Sequence, residues 1–423
     1  MTIVHFATEL SGGAGGFVRN LHQTMQDMGL PSLVLTRGRT DLDDVVTLRP
    51  ISRIRGSLRA RFLTLLGKFG LLNDNYAMFG IEKCPVDLAD IQKALKGVTP
   101  SAFIFYWISY FVDFETINDL RYAYPDVPIV LTCTDEAFLT GGCHYSHGCE
   151  GYFQSCSNCP ATTMTWLQRR IAQRFVQRKV LIDAIDPIVI YPTTNMQDMG
   201  RRSSVMKAVR SWVIPLGAVS HLEQSQAKER RALQRVQREG STRKLSLLVR
   251  SSSEYRKGCD LFVSALKILN QRLPDLRRRL EVVSIGDTTL DLARINQYVR
   301  HSAMGYVDRE GLLSLYASND ALLVTSREDG GPLMINECVA LGVFVISTPV
   351  GVAGDLIVSK RSGRVTRDVS DEAIADLLAD FVERLPEQGI ETGPTSGAAD
   401  RPSLTFEGYI DSLLAIVAKD GAL

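Results

Sequence analysis

The feature that most constrains this chain is its alternation of short apolar runs with helical patterns, sustained over most of its length. That rhythm is what parallel sheets demand, because a parallel connection needs a dozen or more residues and usually takes a helix. In the first half the expected strands are Ile3–Ala7, Ser32–Thr36, Ala102–Tyr106, Ile129–Thr132 and Pro187–Tyr191. A helix is expected over Phe17–Met28, stopped by Gly29. The second half restarts the rhythm with strands at Leu245–Val249, Leu280–Ile285, Ala321–Thr325 and Phe344–Ser347. Helices are expected there at Cys259–Asn270, Leu312–Ala317 and Pro332–Leu341, and a last one at Leu404–Val417.

At 423 residues the chain exceeds what one core usually organises, so two α/β domains are expected. The charged segment that begins at Ala218 has no core face wide enough for a buried helix, and the boundary is placed there. Residues 1–218 form the first expected domain, 219–403 the second, and 404–423 a closing helix. With 48 basic against 47 acidic residues, net charge gives no argument for a nucleic-acid partner. The longest apolar stretch, Phe103 to Val112, is half of the ~20 residues a membrane span needs, and the start carries no leader pattern. A cytoplasmic protein is expected, with room for peripheral contact with the inner membrane face.

Three motifs sit where strands run into helices. Ser11-Gly-Gly13-Ala-Gly15-Gly16 follows the first strand; such glycines let backbone amides approach an anion, or simply make a tight turn. Arg256-Lys257-Gly258, with Arg250 upstream, can clamp a diphosphate, Arg by its fork and Lys as a point charge. The plain alternative is an exposed basic loop. Asp329-Gly330-Gly331-Pro332-Leu333 leads into a helix that carries Glu337 on its second turn. Amides at that helix start suit phosphate oxygens, and the carboxylates suit paired sugar hydroxyls. An acidic turn that only satisfies the helix dipole would explain Asp329, but neither the glycines nor an acid inside an apolar helix.

Taken in this order, the residues resemble the retaining glycosyltransferases of the GT-B fold, family 4, over nearly the whole chain. Asp329 to Glu337 is similar to that family's pair of acids with seven residues between them, in an Asp-first form. The resemblance implies two Rossmann-like domains facing each other across a cleft, with a nucleotide-sugar donor held by the second. It implies that Glu337 holds the ribose, that Asp329 touches the donor sugar, and that Lys257 and the amides of Gly330 to Leu333 hold the diphosphate. Gly13, Gly15 and Gly16 would approach the donor phosphate, and Tyr306 and Val307 would lie near the nucleobase. The closing helix would return to the first domain. Hexosyl transfer to a growing cell-surface glycan or lipid-linked acceptor follows, with retained configuration and no catalytic metal. Asp135, Lys257 and Asp329 are the expected catalytic group.

Two departures stand out. The family's arginine five or six residues before the lysine is replaced by Ser251 or Ser252, leaving Arg250 or Arg256 as substitutes. Its His-Asp pair reads Thr134-Asp135, so Asp135 or a neighbour must cover the sugar contact. The missing histidine motivates a second reading, a degenerate partner subunit that binds nucleotide without turnover. A third is a GT-B epimerase or hydrolase.

Two further stretches call for a reading. Cys143, Cys149, Cys156 and Cys159 supply four thiols within an insert at 140–160 that resembles one in bacterial polysaccharide transferases. A tetrahedral structural zinc site is expected from their number and spacing, with His144 and His147 as alternative ligands. Free thiols and two disulfides are the other readings. The stretch Arg53 to Lys68 carries five cations on an apolar-rich segment, which suits either an anionic membrane surface or a solvated helix. A second basic run, Arg169 to Lys179, can serve either reading.

Overall fold

The computed structural model describes residues 2–40, 42–48, 70–76, 86–238, 244–287, 292–388 and 403–420. Seven strands make the first sheet: β1 (Thr2–Ala7), β2 (Ser32–Thr36), β3 (Val45–Thr47), β4 (Pro100–Phe105), β5 (Ile129–Thr132), β6 (Ile188–Tyr191) and β7 (Ser211–Val213). Their order is β3-β2-β1-β4-β5-β6-β7, all parallel. Every residue of β2, β5 and β6 is buried, as expected of strands covered on both faces by helices.

The second sheet holds β8 (Leu245–Ser251), β9 (Leu280–Gly286), β10 (Arg300–Ala303), β11 (Ala321–Val324), β12 (Phe344–Ser347) and β13 (Gly363–Val365). Its order is β10-β9-β8-β11-β12-β13, again all parallel. Separate clusters of buried side chains pack in this unit, one including Phe262, Leu269 and Phe381, the other including Tyr316, Ile335 and Val345. The chain divides into Met1–Gly217 with Phe406–Leu423, and Ala218–Thr405.

The closing helix Phe406–Asp420 packs within the first unit against the helix Gly12–Asp27. Phe17 meets Phe406 and Tyr409 with ring centroids 6.1 and 5.2 Å apart. Tyr409, Ile410 and Leu413 are fully buried, worth roughly 1.5–3 kcal/mol for each large apolar side chain.

Two local findings differ from the sequence reading. The first helix begins at Gly12 rather than Phe17, so the glycines form its opening turns instead of a connecting loop. The charged segment after residue 218 is helical over His221–Arg238. A reciprocal capping box starts it: Glu223 N donates to Ser220 Oγ at 3.2 Å, and Ser220 N donates to Glu223 Oε2 at 2.8 Å.

Each sheet reverses its strand order once, at β1/β4 in the first unit and β8/β11 in the second. Loops beyond the carboxyl ends of strands at such reversals are where open α/β sheets bind ligands.

Candidate functional site

In the second unit, β8 runs into the turn Tyr255–Lys257 and β11 into the glycine loop before helix Leu333–Ala340. The two loops are zipped together. Arg327 N donates to Arg256 O at 2.7 Å, and Thr325 Oγ1 to Lys257 O at 3.0 Å. Gly258, at φ +63°, allows this approach, since a Cβ there would lie 2.0 Å from Thr325 O.

The zip delivers cations to a buried carboxylate. Asp329 Oδ2 pairs with Lys257 Nζ and stands 3.5 Å from Arg256, while its Oδ1 accepts from Gly331 N at 3.3 Å. Burial pushes the Asp329 carboxyl up, but Lys257 and Arg256 together outweigh it and hold the group below the ordinary carboxylate range. Burial lowers the lysine, and the neighbouring charges of Arg256 and Arg250 push the same way against Asp329. Arg250 itself is exposed at the end of β8. Arg256 also pairs with Glu254 at 2.6 Å, so Lys257 and Arg256 together meet two carboxylates, with Gly331, Pro332 and Leu333 half-buried beside them. Two cations gathered next to a helix N-terminus suit a diphosphate.

Glu337 lies on the following helix, and its side chain is 8% exposed. Its Oε1 accepts from Arg309 Nη1 at 2.6 Å and its Oε2 from Tyr316 Oη at 2.5 Å. Arg309 also pairs with Glu223 at 2.8 Å and donates to Ala218 O at 2.6 Å. Burial pushes the Glu337 carboxyl up in spite of Arg309 and Tyr316. Glu223, Arg309 and Tyr316 were not singled out in the sequence; the Ser220-x-x-Glu223 capping box was the signal available for the first of them. Tyr306 is 92% exposed and Val307 half-buried. Asp308 next to them caps the helix Arg309–Ser318, accepting from Gly311 N at 2.8 Å.

In the first unit, Gly13 and Gly16 face open space at the start of their helix. Gly15 is required by packing instead, since a Cβ would meet Glu9 O at 2.3 Å. Beyond the ends of β4 and β5 lies a recess with an empty volume of about 690 Å³, open solvent included. Trp107, Ser109, Tyr110, Asp135, Arg174 and Arg178 contribute to its lining. Asp135 is not free to face a ligand alone: its Oδ1 accepts from Ala137 N at 2.8 Å, and its Oδ2 pairs with His144 Nδ1. The basic run Arg169–Lys179 lies on helix Thr165–Ile185 and turns two of its cations inward. Arg174 pairs with Glu115, and buried Arg178 donates to Ala137 O and Thr140 O over the ring of Phe114.

The four clustered cysteines line one recess, and no disulfide joins any of the seven described cysteines. Cys149 Sγ accepts from Gly151 N at 3.4 Å, while Cys156 and Cys159 are met by the amides of Gly141 and Ala161. Burial pushes the Cys143 thiol well up and the Cys156 thiol to about 12. Arg178 has no carboxylate partner among the described residues, and burial lowers it to about 10, with Cys156 and Cys143 pulling it back up. The donor chemistry suits a soft divalent ion. Yet among the described residues no three His, Cys, Asp or Glu side chains stand together as a ligand shell. The alternative ligands are committed elsewhere, His144 to Asp135 and His147 Nε2 to Asn75 O at 2.8 Å. The membrane candidate Arg53–Lys68 lies outside the described residues. Among those described, no helix is long and apolar enough to cross a membrane.

Residues 243–384 match the family model described as glycosyl transferases group 1. The matched segment lies within the second unit. It includes Lys257, Arg309, Asp329 and Glu337. WcaC of Escherichia coli (strain K12), provisionally named a colanic acid biosynthesis glycosyl transferase, is 24% identical over 399 residues, 89% of each chain. A glycosyltransferase from Rickettsia africae ESF-5 aligns with TM-score 0.62 at 14% identity, covering 99% of this chain and 98% of its own. Anabaena Alr3699/HepE, solved in complex with UDP-glucose, aligns with TM-score 0.50 at 13% identity, covering 100% and 97%. Both sheets of this chain thus belong to the GT-B fold class, two parallel-sheet Rossmann-like domains.

Proposed function

We propose that this chain transfers a hexose from a nucleotide-sugar donor to a growing cell-surface glycan, with retained configuration, as family 4 enzymes do. The observation that carries the reading is the gathering of Lys257 and Arg256 around Asp329 at the β8/β11 reversal, beside the start of helix Leu333–Ala340. The naming of WcaC for colanic acid biosynthesis and the UDP-glucose complex of HepE support the choice of acceptor and donor class. In the reaction the bond from the anomeric carbon to the diphosphate oxygen breaks, and a bond to the acceptor oxygen forms. The acceptor's proton leaves with the diphosphate, so the protein's work is positioning and charge stabilisation. Lys257, Arg256 and the backbone N–H groups of Gly330, Gly331 and Leu333 stabilise the charge that gathers on the leaving group. Glu337 receives the ribose hydroxyls while Arg309 and Tyr316 hold it in place.

The partner-subunit reading rested on the missing histidine, but Asp135 does have an imidazole partner, supplied by His144 nine residues along. Incubation with UDP-, GDP- and ADP-hexoses and lipid-linked glycan acceptors tests the proposal. A glycosylated product whose anomeric proton keeps the donor's configuration supports it. Nucleotide-sugar consumption with no transferred product would return the epimerase or hydrolase reading.

We also propose a structural zinc at Cys143, Cys149, Cys156 and Cys159. The backbone N–H groups aimed at three of the sulfurs and the buried cation of Arg178 both favour thiolates there. Reduced, untagged protein should carry about one zinc per chain, from the ligand count, and chelation should lower its melting temperature. Metal analysis that finds none leaves four free thiols.

A further inference from the structure

The chain passes from one unit to the other between Gly217 and Ala218, and again between Thr405 and Phe406. On the second-unit side these two passages are paired with each other as a strap. Ala218 N donates to Leu404 O at 2.8 Å, Val219 and Thr405 form a parallel bridge, and Thr405 Oγ1 lies 3.3 Å from His221 Nε2. A side chain grips this strap from outside: Ala218 O accepts from Arg309 Nη2 at 2.6 Å. The same guanidinium donates to Glu223 from Nε and Nη2, at 2.9 and 2.8 Å, and to Glu337 from Nη1, at 2.6 Å. Glu223 belongs to the capping box that starts helix His221–Arg238, directly after the strap. Its neighbour Gln224 donates to Ala340 O, at the end of the helix that carries Glu337. One planar group thus spans Glu337, the strap and the helix that continues it, which suits the fixed fork of an arginine.

We propose that Arg309 is a positioning residue that relays occupancy of Glu337 to the strap, so that a bound nucleotide tightens the pairing of Ala218 with Leu404. The inference rests on the proposed function for its ligand, a nucleoside diphosphate whose ribose donates to Glu337. A carboxylate offers about four lone-pair positions. Arg309 and Tyr316 take one on each oxygen, so ribose hydroxyls can join without displacing either. Donors on one carboxylate share its charge, however, and each added hydroxyl weakens the pull of Glu337 on the guanidinium. Two acids compete for the one cation of Arg309, and the balance then moves toward Glu223 and Ala218 O. Holding Ala218 more firmly by its carbonyl makes local opening of its N–H bond to Leu404 costlier. The coupling is reciprocal: a strap already tight raises the affinity for nucleotide.

Hydrogen exchange of the intact chain, read by mass spectrometry with saturating UDP, GDP or ADP, tests the relay. With the nucleotide that binds, the peptide bearing the Ala218 N–H should exchange about fivefold more slowly, the low end of couplings between distinct sites. Protection confined to helix Leu333–Ala340, with the strap unchanged, overturns the proposal. Two variants separate a relay from an arginine that is merely structural. Arg309→Lys keeps the charge but loses the fork, so its strap should exchange faster and give no response to nucleotide. A strap that still responds in this variant as it does in the unaltered chain counts against the relay. Glu337→Gln neutralises the acid, which mimics the effect of ribose hydroxyls. Without any nucleotide, its strap should exchange more slowly than that of the unaltered chain, and equal or faster exchange overturns the proposal. If none of the three nucleotides binds, the glycosyltransferase reading fails, and the Glu337→Gln comparison decides the relay by itself.

Discussion

The strand ends of the two sheets gather different chemistry. At β8/β11 the groups are charged and buried: Lys257 and Arg256 share one carboxylate, and Glu337 is gripped by Arg309 and Tyr316. Near β4 and β5 the recess is lined by Trp107 and Tyr110 together with Asp135, whose carboxylate pairs with His144. Fixed cations suit an anion whose charge never changes. An aromatic wall suits a neutral polyol, which must be bound and released without a large desolvation penalty.

That contrast can be broken from the charged side first. Lys257→Ala removes the main partner of a buried carboxylate, so it should cost about 3 kcal/mol of stability in a denaturant melt. It should also weaken nucleotide binding by roughly a hundredfold, since a hydrogen bond to a charged group is worth up to about 3 kcal/mol. Intact affinity in calorimetry would show that the cations are there only for Asp329. Glu337→Ala comes next: a loss of roughly 1–3 kcal/mol of nucleotide affinity is expected. No change would leave Glu337 as a purely structural member of the Arg309 network.

Changes in the recess should spare the nucleotide. Asp135→Asn leaves His144 in place but removes the charge that orients it, and should lower turnover about tenfold, or 1.4 kcal/mol of barrier. Nucleotide affinity should stay nearly constant, and a parallel fall in both would mean that the two regions are not separable. Thr134→His should be tolerated and is expected to raise turnover. The smallest effect is on stability at low pH. Asp329 is held below its ordinary value, so its contribution is complete above the unfolded pKa of about 3.9 and fades as pH falls through the folded value. Melting temperatures of the protein and of Asp329→Asn should therefore diverge above about pH 4 and converge below it. A constant gap at all pH values would show that the carboxylate's charge is not what matters.

How far the sequence carried depends on burial. Strands such as Ser32–Thr36 and Ile129–Thr132 announce themselves because both of their faces are covered and every position is apolar or small. The short edge strands β3, β7, β10 and β13 gave no such run; Arg300-His-Ser-Ala carries neither alternation nor an apolar core, and only its neighbour β9 makes it a strand. Lys257 and Asp329 could be proposed as neighbours because each ends a strand, and parallel order brings strand ends together. The grip on Glu337 could not, since Arg309 and Tyr316 act from 28 and 21 residues away on another helix. His144 was legible as a chemically able residue but assigned to the thiol cluster. Spacing alone does not say which way an imidazole turns, and the Asp135 carboxylate decided it.

The central claim is that the charged reversal of the second unit binds a nucleoside diphosphate. Calorimetric titration of the intact chain with UDP, GDP and ADP, at low and high salt, tests it directly. One of the three should bind with a stoichiometry of about one per chain, expected from a single β8/β11 reversal, and more weakly at high salt. Lys257→Ala should weaken that binding roughly a hundredfold, for a loss of up to about 3 kcal/mol. No binding by any of the three, or affinity unchanged by the loss of Lys257, would contradict the account.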